Sequence, residues 1–178
     1  MTSTVQDPTT RRLVLLRHAK AEPGGRVSDE LRPLALPGRK QALRVGTALA
    51  GLGLVPEKVL CSDAVRTRQT WDLLRPGLGD ASPDVTVTGE IYSAGVEDIL
   101  RLVRESDEPV RTLLVVGHEP VMSAVAARLA GPGSDSAGLA QVRVGVQTAT
   151  YVVLEAQTPW AEWSAAAAVL THLGRPES

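Results

Sequence analysis

The chain has 178 residues, 43% of them apolar and 22% charged, and a formal net charge of −1. This composition predicts one soluble globular domain and excludes a general polyanion-binding protein, which would carry a strong basic excess. The single cysteine excludes a disulfide framework, and the three histidines, at positions 18, 118 and 172, do not form a zinc motif.

The first residues and the apolar runs bear on where the protein is found. Residues 1 to 11 predict a flexible tail, and residues 12 to 178 predict a single domain. The first residues lack the apolar stretch of a secretory signal, and no apolar run approaches the length of a membrane span. We therefore expect a cytoplasmic protein that binds neither nucleic acid nor membrane.

Strands and helices are predicted to alternate along the chain. The patterns of apolar residues predict strands at 13–17, 58–62, 84–88, 111–117 and 148–155, and helices at 38–52, 63–74, 95–105 and 120–130. Ser62 is placed as the N-cap of the second helix. This alternation predicts a mainly parallel sheet covered on both faces, in which ligands bind beyond the carboxyl ends of the strands.

The remaining segments are loops, with one ambiguous end. Residues 18–38 contain three prolines and predict a long loop of the kind that is often functional, and residues 131–138 predict a mobile surface loop. The alanine-rich end from Pro159 predicts a helix by propensity, with an edge strand from Val169 as the alternative. Four other side chains have structural interpretations: we expect core positions for Cys61, Trp160 and Trp163, and a surface position for His172.

Polar side chains follow three of the predicted strands. Arg17 and His18 end the first strand, Arg66 falls in the first turn of the helix after residues 58–62, and His118 follows residues 111–117. A helix N-terminus and an arginine fork both favour phosphate. Each residue alone could be a solvated charge or a structural histidine. Together they predict a phosphoryl pocket, and no acidic residue at these positions marks a magnesium site.

The chain resembles the histidine phosphatase (phosphoglycerate mutase-like) superfamily in four ordered segments, LVLLRHAKA, DELRPLALPGRKQA, SDAVRTRQT and VVGHEP. Within it the chain is most similar to the small SixA-type phosphohistidine phosphatases, over residues 12 to 130 or so. The resemblance implies a three-layer α/β/α sandwich around a mixed, mostly parallel sheet. It implies that His18 is the nucleophile, that Arg17, Arg66 and His118 bind the phosphoryl group, and that no metal or cofactor takes part.

The acid that protonates the leaving group stays open between two carboxylates. Glu90 follows the strand at 84–88, where many family members place this acid, and Glu119 follows His118, where a distant branch keeps it. We prefer Glu90 as the catalytic acid and place Glu119 near the bound substrate. The alternative for both is plain solvation, or for Glu119 a favourable position in the first turn of a helix.

The predicted activity is hydrolysis of phosphohistidine on a partner protein, through a covalent phosphohistidine on His18. An imidazole leaves easily because its conjugate acid has a pKa near ~6.5, so this substrate needs a proton donor less than an alkyl phosphate does. The alternatives are a small-molecule phosphomonoesterase, acting on a sugar phosphate or nucleotide, and an idle phosphate- or protein-binding module. The sequence specifies neither the partner nor the oligomeric state.

Overall fold

The computed structural model describes residues 7–176, and its six described strands form one mixed sheet. The sheet order is β3-β2-β4-β1-β5-β6, in which β1 to β4 run parallel and β5 and β6 run antiparallel to their neighbours. The strands are β1 (Arg11–Arg17), β2 (Lys58–Ser62), β3 (Asp84–Thr88), β4 (Thr112–Gly117), β5 (Tyr151–Ala156) and β6 (Val169–Gly174).

Helices cover both faces of this sheet. The described α-helices are α1 (Leu36–Gly51), α2 (Val65–Leu74), α3 (Val96–Arg104), α4 (Val121–Leu129) and α5 (Ser136–Val144). Apolar residues of α1 and α2 form one buried cluster with the sheet, and those of α3, α4 and α5 form a second cluster on the opposite face. The predicted three-layer α/β/α sandwich is therefore confirmed.

Strand β1 shows why the central strands have continuous apolar sequences. Leu13 and Leu15 pack into the cluster with α3 to α5, whereas Val14 and Leu16 pack into the cluster with α1 and α2. Successive side chains of a strand point to opposite faces, so a strand covered on both faces needs apolar residues at every position.

The register of the parallel strands brings the predicted site residues to one edge. Arg17 of β1 lies opposite Gly117 of β4, so His18 and His118 follow neighbouring strands at the same end of the sheet. Strand β2 pairs with the other side of β4 and ends at Ser62, immediately before α2. The carboxyl ends of β1, β4 and β2 therefore meet where the sequence placed the phosphoryl pocket.

Two local predictions were wrong or incomplete. Ser62 does not cap α2, because Ser62 is still the last residue of β2 and the N-cap is Ala64; its hydroxyl lies 2.8 Å from His118 Nε2. The predicted loop at 131–138 ends early because α5 begins at Ser136. Gly138 lies inside α5, where the lack of a side chain leaves room for Leu170. A Cβ on Gly138 would lie 2.8 Å from the Leu170 Cδ2.

The C-terminal part is a strand and not the helix favoured by propensity. The alternative of an edge strand from Val169 is confirmed, because β6 pairs with β5 and buries Leu170. Trp160 lies in a short 3-10 turn, and it and Trp163 are fully buried, as predicted for core residues. His172 is exposed, as predicted.

Two further predictions concern the ends and the membrane. The predicted tail covers residues 1–11, of which residues 1–6 lie outside the described part of the chain, and Arg11 already begins β1. Within residues 7–176, no helix combines the length and the apolar character that crossing a bilayer requires.

Gly38 sets the distance between α1 and the loop that follows His18. A Cβ on Gly38 would overlap the carbonyl oxygen of Lys20 and lie 2.8 Å from its carbonyl carbon, both backbone atoms. We expect Gly38→Ala to lower the free energy of unfolding by about 1–3 kcal/mol, as overpacked sites do. Urea unfolding followed by tryptophan fluorescence measures this change.

Gly51→Ala in the same helix is the matched control. A Cβ at Gly51 meets nothing within 4 Å. Its stability should stay within about 0.5 kcal/mol of the parent chain. Equal stability of the two variants would contradict the close approach at Gly38.

Candidate active site

His18 has the properties of a nucleophile. Its Nδ1 lies 2.8 Å from the carbonyl oxygen of Ala19, which only accepts, so Nδ1 carries the proton and Nε2 keeps a free lone pair. His18 is only 7% exposed. Burial first, and then the nearby positive charges, lower the pKa of His18 to about 3. The imidazole is therefore neutral at physiological pH, as nucleophilic attack requires.

His118 lies beside His18 and is neutral for the same reason. The two ring centroids are 5.4 Å apart, so both rings can contact one phosphoryl group. Burial and the neighbouring Arg66 lower the pKa of His118 to about 4. Its Nε2 lies 2.8 Å from the Ser62 hydroxyl. Arg66 Nη2, which can only donate, lies 3.5 Å from Nδ1, so Nδ1 accepts and Nε2–H donates to the Ser62 hydroxyl. Because a hydroxyl can also donate, the opposite tautomer, with Nδ1–H directed at a phosphoryl oxygen, is open to His118 once that oxygen replaces Nδ1 as the partner of Arg66.

Two guanidinium groups complete the arrangement. Arg66 is only 5% exposed, and its Nη2 lies 3.5 Å from Nδ1 of His118. Arg17 is half-buried and donates from Nη1 to the carbonyl oxygen of Val146 at 2.7 Å. The Nε atom of each arginine is buried and has no hydrogen-bond acceptor among the described residues. A buried donor without an acceptor costs about 1–3 kcal/mol, which the oxygen of a bound anion would relieve.

An acidic residue that the sequence did not single out lies against Arg66. Asp29, in a 3-10 turn of the loop between β1 and α1, accepts from Arg66 Nη2 at 2.9 Å and from the Tyr92 hydroxyl at 2.8 Å, both through Oδ2. Arg32 Nε donates to Oδ1 at 2.9 Å. The Tyr92 hydrogen bond, followed by those of the two arginines, holds the pKa of Asp29 well below its usual range.

The four predicted pocket residues thus lie together as a cationic cup, defined here as Arg17, His18, Arg66 and His118. Two permanent positive charges match a phosphoryl dianion, and two neutral rings supply a nucleophile and a further donor. No group of three or more histidine, cysteine, aspartate or glutamate side chains between residues 7 and 176 is placed to share a metal ion.

Comparisons with known proteins place the chain in a family. One similar structure is a candidate phosphohistidine phosphatase SixA from Nakamurella multipartitia, which is 34% identical in sequence to this chain. The two match over 97% of this chain and 100% of that chain, with a TM-score of 0.82. The chain belongs to the histidine phosphatase superfamily. A candidate phosphohistidine phosphatase SixA from Agrobacterium tumefaciens is 27% identical over 93% of this chain and 98% of its own, with a TM-score of 0.78.

A relative found by sequence covers nearly the same length. An uncharacterised protein of Mycobacterium tuberculosis is 36% identical over 163 residues, which are 90% of this chain and 99% of that protein. No protein-family model matches the chain.

Glu90 and Glu119, the two candidate proton donors, have different surroundings. Glu90 is exposed and pairs with Arg101 at 2.6 Å. Glu119 is held by donors on both oxygens: Ser123 N at 2.9 Å on Oε1, and Ser123 Oγ at 2.6 Å and Val146 N at 3.1 Å on Oε2. Burial lowers the pKa of Arg17, and the negative charge of Glu119 opposes this shift. Glu119 therefore joins the cup through Val146, whereas Glu90 lies on a surface arginine.

The functional contacts that sequence reasoning missed are Asp29, Tyr92 and the Ser62 hydroxyl. Asp29 lies in the DELRPL stretch of the family resemblance, which was the only signal available for it. Tyr92 contacts His118 edge-on, with ring centroids 5.5 Å apart. These contacts join residues far apart in the chain, which no spacing rule anticipates.

The neutral histidines make the stability of the fold depend on pH. An unfolded chain binds a proton at His18 near pH ~6.5, whereas the folded protein does so only near its lowered pKa. Below pH ~6.5 the unfolded state therefore binds more protons, and the free energy of unfolding falls by up to about 1.4 kcal/mol per pH unit for each such histidine. Asp29 contributes only below the pH at which an unfolded aspartate titrates, near ~3.9.

Replacing His18 should remove its share of this dependence. We expect the stability of His18→Asn to decrease less steeply than that of the parent chain between about pH 6.5 and 4.5. Urea unfolding at several pH values in this window measures the slope, and His172→Asn, which changes an exposed histidine, is the control variant. A parent-like slope in His18→Asn would show that His18 is not held neutral.

Proposed function

We propose that this protein is a metal-independent phosphatase that forms a covalent phosphohistidine on His18 and acts on phosphohistidine of a partner protein. The observation that carries the proposal is a neutral His18, with Nε2 unprotonated, beside two buried arginine Nε groups that lack a protein acceptor. The similarity to the SixA proteins supports the same chemistry.

The residues of the cup fit the two halves of such a reaction. Nε2 of His18 attacks phosphorus, a P–N bond forms, and the bond to the leaving group breaks with its electron pair on the leaving atom. Water then attacks the phosphohistidine, releases phosphate and returns the lone pair to His18. Arg17 and Arg66 stabilise the phosphoryl oxygens, and His118 donates from a third direction. Loss of one such donor raises a barrier by about 2.7–4 kcal/mol.

The surroundings of the two carboxylates favour phosphohistidine over an alkyl phosphate. Glu119 is fixed by Ser123 and Val146, and Glu90 is paired with Arg101. An alkoxide leaving group requires a proton from a well-placed acid, whereas an imidazole requires it far less. The pair of Glu90 and Arg101 is exposed on both sides, so Glu90 could act as the acid for an alkyl phosphate only after this pair opens.

Trapping of the phosphoenzyme with an alkaline quench tests the covalent step, because the P–N bond of phosphohistidine survives in base and is hydrolysed in acid. With ³²P-labelled phosphohistidine protein and EDTA present throughout, we expect label on the parent chain and none on His18→Ala, because only Nε2 of His18 is in place to accept the phosphoryl group. His172→Ala, which changes an exposed histidine, is the matched control and should label normally. Label on His18→Ala would refute the nucleophile, and loss of turnover in EDTA would refute metal independence.

Glu90→Gln distinguishes the two substrate classes. We expect kcat/KM to fall by about 100-fold or more for an alkyl phosphate and to change little for phosphohistidine, because only the first needs a strong acid. Glu105→Gln is the matched control, since Glu105 pairs with the same Arg101 at 3.1 Å. Equal losses on both substrates would contradict the leaving-group argument.

A further inference from the structure

Asp29 lies between the buried Arg66 and solvent. The Arg66 side chain is 6% exposed, whereas that of Asp29 is 51% exposed. Tyr92, which donates to the same carboxylate oxygen, is also partly exposed and touches the His118 ring. Asp29 and Tyr92 therefore form part of the mouth of the cationic cup.

This mouth is the side on which a leaving group must sit. His18 is buried, and in-line displacement places the leaving group opposite the attacking nitrogen. A leaving group opposite the buried His18 is therefore directed toward the exposed side of the cup, the side on which Asp29 and Tyr92 lie.

The negative charge of Asp29 is fixed in place. Arg66 and Tyr92 donate to Oδ2, Arg32 donates to Oδ1, and Arg66 Nη1 also donates to the backbone carbonyl of Asp29 at 2.6 Å. These four contacts restrain both the carboxylate and the turn that carries it. Asp29 is thus a charge held at one point rather than a solvated loop carboxylate.

We propose that Asp29 is a selectivity residue that discriminates by the charge of the leaving group. It favours a neutral or cationic group, such as the imidazole of phosphohistidine in its protonated form. It disfavours phosphoesters that carry a second anionic group next to the phosphoryl group, such as bisphosphates, nucleoside polyphosphates and phosphorylated carboxylic acids. The inference rests on the proposed function, since it concerns the substrate of the same site.

The expected size follows from Coulomb interaction near a protein surface. A unit charge several ångströms from a half-exposed carboxylate changes a rate or binding constant by about 3- to 10-fold at low salt. Because Asp29 is half-exposed, added salt screens this effect. A purely structural role of Asp29 would not depend on ionic strength in this way.

The test uses three phenyl phosphates that differ only in a meta substituent: trimethylammonium, methyl or carboxylate. For the full chain and for Asp29→Asn, kcat/KM is measured on each compound, and kcat/KM for the cationic substrate is divided by kcat/KM for the anionic substrate. Dividing the ratio of the parent chain by the ratio of Asp29→Asn cancels the intrinsic reactivity of the esters. We expect the preference for the cationic substrate to fall by about 3- to 10-fold in Asp29→Asn, and the parent preference to shrink as salt increases.

Glu30→Gln is the matched control. Glu30 is the neighbouring exposed carboxylate in the same 3-10 turn. Its removal changes the net charge equally and should alter the ratio less than about 2-fold. A uniform change on all three substrates in Asp29→Asn would overturn the inference: a uniform loss would mean that Asp29 only positions Arg66, and a uniform gain that it competes with phosphate for Arg66.

A binding measurement separates this inference from the proposed function. The same three compounds are titrated calorimetrically against His18→Asn, with and without Asp29→Asn, because residue 18 cannot then be phosphorylated. A shift in the binding ratio, with no hydrolysis of these esters or of phosphohistidine by the parent chain, would refute the phosphatase and support the selectivity. Hydrolysis of either substrate class by the parent chain with neither ratio shifted would refute the selectivity alone. No binding of the three compounds together with no hydrolysis of phosphohistidine would refute both.

Discussion

The burial of two neutral imidazoles beside two permanent cations is the constraint on which the site depends. Protonating His18 or His118 would add a third positive charge to a desolvated place that already holds Arg17 and Arg66, so burial and charge lower both pKa values together. A buried imidazole also needs hydrogen-bond partners, and the Ala19 carbonyl and the Ser62 hydroxyl provide them. The ends of β1 and β2 are therefore fixed by the same requirement that keeps His18 and His118 neutral.

The parts of the fold that the sequence predicted well are those with strong local patterns. Strands buried on both faces have continuous apolar runs, and β2 and β3 have the predicted bounds. The four residues of the cup were found because each follows such a strand or begins the next helix. Their meeting then follows from parallel pairing, which brings the carboxyl ends of β1, β4 and β2 to one edge.

The parts that were missed depend on tertiary contacts that override local preference. Ala165 to Ala168 favour helix by propensity, but the burial of Leu170 and the pairing of β6 with β5 are worth more than that preference. Asp29 was absent from the predicted site because a carboxylate in a polar loop usually remains in water. Its partners Arg66 and Tyr92 lie 37 and 63 residues away, beyond any local pattern.

The antiparallel strand β5 has a consequence for when the site can form during synthesis. The segment before β5 holds the end of β1: Arg17 N donates to the Thr150 carbonyl, and Ala149 N donates to the carbonyls of Arg17 and His18. Arg17 and His18 thus leave the ribosome early, whereas the backbone of residues 149 and 150 that holds them leaves late. A nascent chain lacks these partners for the end of β1 until that segment has been synthesised.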